Sequence, residues 1–524
     1  MILTKGLLVS AQNRADCTAV IDGERRFTYG QFHDRTSQLK GALKDRGIQK
    51  GDRVALLMMN NFRYLELFYA VTSIGAIVVP LNVRLTLPEL ERILEDAQPV
   101  MLFLSREFLP AAPILKSKVP SIRRLVLAED RKPGRDEGET ISYEDLIQSQ
   151  APSPLDYEGV EEGDPAGLFY TGGTTGRPKG VILTHRNLVA NAWHVALGIG
   201  YDRETRYLHA GPMFHLADGA STFAVTLVGG SHSHLRVFRP AEFLQVLERE
   251  RPNATLLVPT MIHALLQSPE LAKRDTASLG KIVYGGSPMP VEVMKKALDR
   301  LPGVRFYQAY GMSEAAPVLT VLQPEDHDGL ETEREHLLTS CGQPVAGVEI
   351  KLVDSEGDEV LVGEVGEVIA RGPNIMQGYW NLPEETALAL RDGWYYTGDM
   401  AYRDKENYYY IVDRKKDMIV SGGENVYSVE VENTLYRHPD VVEAAVVGVP
   451  DKSWGERVLA MVVKREGSAL TEETLIEHCR ESLAGFKVPK CVEFTEELPK
   501  SGAGKILKRS LREKYWESHT RRVN

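Results

Sequence analysis

Residues 170–180 read Tyr-Thr-Gly-Gly-Thr-Thr-Gly-Arg-Pro-Lys-Gly. Glycine admits positive φ and lets an anion approach backbone amides with no Cβ in the way. Threonine hydroxyls donate hydrogen bonds, and Arg177 and Lys179 add charge, so the stretch has the chemistry of a phosphate-holding loop. A Walker A loop needs G-x-x-x-x-G-K-[ST] between a strand and a helix. Here Pro178 separates the cations, Gly180 follows Lys179, and residues 181–184 read as a strand.

Further candidates lie where apolar runs break into glycine or charge. Met213-Phe214-His215-Leu216 offers one histidine, for which a buried core imidazole is the competing reading. Tyr284-Gly285-Gly286-Ser287 ends an apolar run; ligands in open α/β sheets bind beyond such strand ends, and a tight turn explains the segment equally well. Gln308-Ala309-Tyr310-Gly311-Met312-Ser313-Glu314 repeats that pattern with a hydroxyl and a carboxylate. Asp399 follows Gly398 at an expected strand end, where it suits a ribose diol or an Asx turn. Residues 413–417, Asp-Arg-Lys-Lys-Asp, form a charge run of the kind that usually faces solvent. Gly422-Gly423 opens the last stretch, and Lys505 closes Pro-Lys-Ser-Gly-Ala-Gly-Lys at 499–505.

This ordered set resembles the motifs of the adenylate-forming superfamily, which includes acyl-CoA synthetases, luciferases and peptide-synthetase adenylation domains. The resemblance covers nearly the whole chain and is strongest to stand-alone fatty-acyl and aryl-acid CoA ligases. It implies that Thr171, Gly172, Gly173, Thr174, Thr175, Gly176 and Lys179 hold the ATP phosphates. It places Gly286, Ser287, Gln308, Ala309, Tyr310 and Gly311 around the adenine, Ser313 on the α-phosphate, and Asp399 and Arg414 on the ribose. Glu314 would hold Mg²⁺, a hard cation usually shared with substrate phosphates. Lys505 is the implied catalytic lysine, and His215 the implied gate or orienter of the substrate carboxylate. The acyl pocket falls to His215, Ala217, Tyr284, Gly285, Ala309 and Ala315, the CoA tunnel to Gly422 and Gly423, and the hinge to Lys416. Gly172 departs from the pattern, since many members carry Ser or Thr there and gain a hydroxyl donor.

The elements that must position these residues can be read in outline. A chain of 524 residues exceeds what one core usually supports. Apolar runs such as 54–58, 77–79 and 100–103 alternate with amphipathic helical stretches, which predicts parallel sheets covered on both faces. Thr28-x-x-Gln31 has capping-box form and starts one such helix. Residues 129–165, rich in Asp, Glu, Gly and Pro, read as a mostly irregular connection. The fold class expected is α/β. The resemblance adds a large N-terminal domain of layered sheets with a small β-barrel-like subdomain (1–412), a hinge at 413–417, and a small mobile α+β C-terminal domain (418–524).

Net charge is −11, which argues against nucleic acid as the main partner. The uncharged run 67–83 is short for a membrane span and is broken by Gly75 and Pro80. Cys17, Cys341, Cys479 and Cys491 show no C-x-x-C spacing and read as thiols in a reducing compartment; with residues 1–6 unlike a signal peptide, the expected location is cytoplasmic. A homodimer through the large domain is a family-level expectation.

The implied chemistry joins a carboxylate to ATP, giving an acyl adenylate and pyrophosphate, and then passes the acyl group to CoA after the small domain rotates. Two anions must meet, so positioning and charge neutralisation dominate. Small residues along the expected acyl wall, Ala217, Gly219, Ala309, Ala315 and Ala316, favour a medium or long fatty acid; an aryl acid of the coumarate or benzoate type, or an acceptor other than CoA, is the alternative. Asp218 stands out beside this wall, either turned away or meeting a polar group of the substrate.

Overall fold

The computed structural model describes residues 1–130, 139–171, 178–328, 332–451, 453–500 and 505–516. Among them, two large mixed sheets carry most of the chain. One runs in the strand order 343–344, 318–322, 305–311, 281–285, 254–256, 206–209, 231–234, 18–22, 25–28. The other runs 378–379, 179–184, 165–171, 77–80, 53–57, 101–104, 124–127, 140–142. In both, the central strands are parallel; antiparallel pairs close both edges of the first sheet and one edge of the second, whose other edge strand, 140–142, is parallel to its neighbour. The central strands are apolar because both faces are covered: 77–80 and 101–104 are buried at every position.

The connecting helices follow their local sequence. Thr28 caps helix Tyr29–Asp45 with both bonds of the capping box in place. Helix Arg63–Ser73 is buried along its whole length. Its Glu66 takes Arg35 at 2.5 Å and the Tyr143 hydroxyl at 2.7 Å, so the buried charge is paired. The run 67–83 is the end of this helix followed by the buried strand Ile77–Pro80; no helix among the described residues is long and apolar enough to cross a membrane.

Residues 129–165 are mostly irregular where described, with one short regular insert. Within 129–165 lie strand Thr140–Ser142 and helix Tyr143–Gln148, the latter capped by Ser142. Its apolar face is only Tyr143, Leu146 and Ile147, too short a period to stand out from polar flanks.

A third, antiparallel sheet pairs 349–353, 366–371, 394–403 and 390–391, with 409–414 added on 394–403. It occupies the segment where the barrel-like subdomain is expected. The fourth sheet, 424–426, 419–421, 455–464 and 441–451 with 491–494 alongside, belongs to the small C-terminal unit. Helices Ser428–Tyr436 and Glu472–Arg480 cover one face through Val431, Leu435, Leu475 and Cys479. Leu511 of helix Lys508–Trp516 packs on the other face, against Val447 and Leu459.

Candidate active site

Strands Lys281–Gly285 and Arg305–Gly311 lie side by side in parallel, with Gly285 opposite Ala309. A Cβ on Gly285 would sit 2.1 Å from the Ala309 carbonyl oxygen, so the two backbones can approach only because the residue is glycine. Gly286 follows at φ +79°, turning the chain away from the sheet. Residues 308–314 are all half-buried, so the strand end forms the wall of a cleft rather than core. Tyr284 is buried beneath it and donates to Gln308 Oε1 at 3.2 Å.

Lys505 reaches this turn. Its Cε lies 3.5 Å from where a Gly286 side chain would begin. Burial and the like charge of Arg414 push the ammonium down to about 8, while Asp399 and Glu314 pull the other way. The last residue expected to act is thus brought among the charged groups of the large unit. His215 feels the same lysine: burial first, then Lys505, holds the imidazole down at about 4, so it is neutral at physiological pH. Its Nδ1 accepts from the Ala217 N–H at 3.2 Å, capping helix Leu216–Val228.

Asp399 sits within the ten-residue strand Trp394–Arg403, not at a strand end as the glycine before it suggested. Gly398 takes φ +74° and the register shifts after Met400, so an irregularity in mid-strand does the work expected of a terminus. Asp399 Oδ2 accepts from the Tyr310 hydroxyl at 2.8 Å, and Oδ1 lies 3.4 Å from Arg414 Nε. Burial raises this carboxyl above its usual range.

Glu314 lies on the short turn Ser313–Ala315, braced by residues the sequence reading did not single out. The Met376 N–H donates to its carbonyl at 2.8 Å, and Asn374 Nδ2 donates to the carbonyls of Ala315 and Val318 at 2.7 and 3.0 Å. The Tyr379 hydroxyl donates to Glu314 Oε1 at 2.9 Å. The other face of Tyr379's surroundings is Lys179, whose ammonium is 5.0 Å from the ring centroid and which pairs with Glu385. Gly378-Tyr379 pairs with 181–182 across a sheet edge, a contact no local pattern announces.

Burial raises the Glu314 carboxyl above its usual range while Tyr379 and Arg414 lower it, and a half-buried carboxylate of this kind suits a divalent cation. No cluster of three or more metal-ligating side chains occurs among the described residues. The donor set therefore fits Mg²⁺ held by one carboxylate and completed by substrate phosphates.

Thr171 and Lys179 flank the phosphate-loop residues Gly172, Gly173, Thr174, Thr175 and Gly176, which lie outside the described residues. Ser287 and Ser313 are half-buried in their turns, Ala217 is half-buried and Ala315 is buried. Gly422 and Gly423 form an exposed hairpin turn between strands Ile419–Ser421 and Glu424–Val426. Lys416 is exposed, and its carbonyl accepts from Arg512 Nη1 at 3.1 Å; Arg512 also meets Asp417 at 3.3 Å. Asp218 is fully buried with both oxygens occupied, by the Tyr207 hydroxyl at 3.0 Å and His209 Nδ1 at 2.5 Å, so its carboxylate is turned into the core.

Strand-end glycines beside an acidic turn, met by a lysine from the small C-terminal unit, fit an adenylate-forming architecture. The profile described as AMP-binding enzyme matches residues 7–380, and that of the AMP-binding enzyme C-terminal domain matches residues 430–505. The chain belongs to the AMP-binding enzyme family. It is similar to a feruloyl-CoA synthase of Amycolatopsis sp, 40% identical over 506 residues that cover 95% of this chain and 96% of that protein. It is 37% identical to a medium/long-chain-fatty-acid–CoA ligase of Mycobacterium tuberculosis, covering 99% and 91%. Among solved structures, an anthranilate CoA ligase in complex with anthranoyl-AMP superposes with a TM-score of 0.89 at 29% identity, covering 98% of this chain and 97% of that one.

Proposed function

We propose that this enzyme is an AMP-forming acid:CoA ligase that activates a medium- or long-chain fatty acid as its acyl adenylate and then transfers the acyl group to CoA. The observation that carries the reading is Lys505 poised over Gly286 within the field of Arg414, Asp399 and Glu314. A lysine there is a compact cation able to bridge a carboxylate and the phosphate it attacks. Asp399 and Arg414 would hold the ribose, Gln308, Ala309 and Tyr310 the adenine, and Thr171 to Lys179 with Ser313 the phosphates. Mg²⁺ bound with ATP at Glu314 would supply charge neutralisation for the departing pyrophosphate. Neutral His215 orients the acid without repelling Lys505. CoA would enter past Gly422 and Gly423 once the unit following 413–417 has turned about Lys416. A cytoplasmic homodimer is the form in which we expect it to act.

A second reading, an aryl acid as substrate, is favoured by the similarity to feruloyl-CoA synthase and to the anthranilate ligase. ATP–pyrophosphate exchange over a panel of fatty and aryl acids, with and without CoA, decides between them. Exchange and CoA consumption greatest with a C8–C18 acid is the expected result. Exchange confined to aryl acids moves the assignment to the second reading, exchange without CoA consumption points to another acceptor, and no exchange with any acid overturns the function.

A further inference from the structure

Beneath the expected acyl wall lies a chain of buried polar groups that the reaction does not use. Asp218 meets His209 at 2.5 Å; His209 Nε2 meets His232 Nδ1 at 3.0 Å; His232 Nε2 meets Thr226 Oγ1 at 2.9 Å. The Tyr207 hydroxyl holds the other oxygen of Asp218, and His209 stacks on His232 and His234 with centroids 5.3 and 5.1 Å apart. Asp218, His209, His232 and Thr226 are all fully buried. Apolar residues of similar volume would stabilise such a core as well or better, so a polar chain here has another use.

Its ends show what that use is. Asp218 and Thr226 belong to the first and last turns of helix Leu216–Val228, and His209 and His232 to the neighbouring strands Arg206–His209 and Ser231–His234. The chain therefore locks the helix onto the sheet. The loop between them, 210–215, packs on the same carboxylate, since a Cβ on Gly211 would lie 3.4 Å from the Asp218 Cβ. Asn60 grips that loop from the opposite side: its Nδ2 donates to the Gly211 carbonyl at 2.6 Å and its Oδ1 accepts from the Met213 N–H at 2.8 Å. His215, at the loop's end, lies within the electrostatic reach of Lys505.

We infer that Asp218, His209, His232 and Thr226 are positioning residues that fix the His215 loop, and with it the seat of the substrate carboxylate. The hydrogen-bond directions make this testable. With Asp218 as acceptor, His209 Nδ1–H donates to it, His232 Nδ1–H donates to His209, and Thr226 donates to His232 Nε2. The chain can also run backwards, because the Thr226 hydroxyl has a second acceptor in the Thr222 carbonyl at 3.0 Å. Asn at 218 would then donate to His209 Nδ1, His209 to His232, and His232 Nε2–H to Thr226. An amide at 218 can accept from His209 Nδ1–H or donate to Nδ1, and in both directions the chain ends on the Thr226 hydroxyl, so the amide is tolerated only while residue 226 keeps that hydroxyl.

The inference rests on the proposed activity, so the test begins with wild-type exchange. An enzyme inactive with every acid defeats that activity, and this inference with it. Given an active wild type, exchange kinetics with acid and ATP varied separately are measured for Asp218→Asn, Asp218→Leu and Asp218→Asn/Thr226→Val, alongside thermal melting. The expected result is an acid KM raised about tenfold or more in Asp218→Leu with the ATP KM within about twofold, since a small misplacement of a positioning wall is costly. Asp218→Asn should remain within about threefold of wild type, and the added Thr226→Val should return it to the Asp218→Leu level. Should Asp218→Leu fail to fold, the Asn pair alone carries the test. An unchanged acid KM, or acid and ATP KM rising together in step with a falling melting point, overturns the inference.

Discussion

Arg414 stands directly opposite Asp399 across two antiparallel strands, its Nε 3.4 Å from Oδ1, while Tyr310 holds Oδ2 at 2.8 Å. The carboxylate is buried and the guanidinium is half in solvent, so the pair sits at the lip of the cleft rather than in the core. Burial raises the carboxyl and the acid keeps Arg414 charged, which leaves a negative group prepared for hydroxyl donors without a free anion in the apolar wall.

Replacing Lys505 by Ala should cut pyrophosphate exchange by about 10²–10³-fold, the usual cost of losing one preorganised electrostatic partner. Thioester formation from supplied acyl-AMP should fall far less, because that step has no use for the cation. Stopped-flow measurement of each half-reaction checks it; equal loss in both would count against a role confined to adenylation.

The ammonium of Lys505 titrates at about 8 in this arrangement, below its ordinary value, through burial and then Arg414. The charged form is the useful one, so kcat/KM for ATP should descend as pH rises through about 8. The limb in kcat should lie higher, since bound triphosphate favours the charged form. Lys505→Arg, charged throughout, should lose the descending limb from its kcat/KM profile even if slower overall.

Gly285→Ala would bring a methyl within 2.1 Å of the Ala309 oxygen and must force the two strand ends apart. A stability loss of about 1–3 kcal/mol is expected from such overpacking, with the ATP KM rising more than the acid KM. Urea unfolding together with separate substrate titrations reads both; unaltered ATP binding would refute the packing argument.

Tyr379→Phe deletes the hydroxyl that donates to Glu314 Oε1 at 2.9 Å and leaves the ring beneath Lys179. A hydrogen bond to a charged group is worth about 1.5–3 kcal/mol, so half-maximal Mg²⁺ in the exchange assay should rise by about 10- to 100-fold. Calorimetric titration with Mg²⁺–ATP should show the same weakening. Identical magnesium curves for variant and wild type would remove Tyr379 from the site.

Local chemistry was legible where one segment decides it. The capping box at Thr28, the strand–glycine turn at 285–286, and the buried strand after Gly75 could all be read from adjacent residues. What was hidden is what depends on distant segments. Tyr379 reaches Glu314 through a pairing with residues nearly two hundred positions earlier, and Asp399 reaches Arg414 through a mid-strand irregularity. Asp218 looked anomalous beside small apolar residues because both its partners, Tyr207 and His209, come from the preceding strand Arg206–His209. Helix Tyr143–Gln148 stayed hidden because three buried residues set too little rhythm.

The bond from Arg512 to the Lys416 carbonyl joins the proposed pivot to the helix that follows Lys505. The same helix is stapled at its start, where Lys508 meets Glu432 at 2.7 Å. Axle and arm are therefore fastened to one crank. A swing about Lys416 would carry this helix, and the lysine just before it, away from the Gly286 turn.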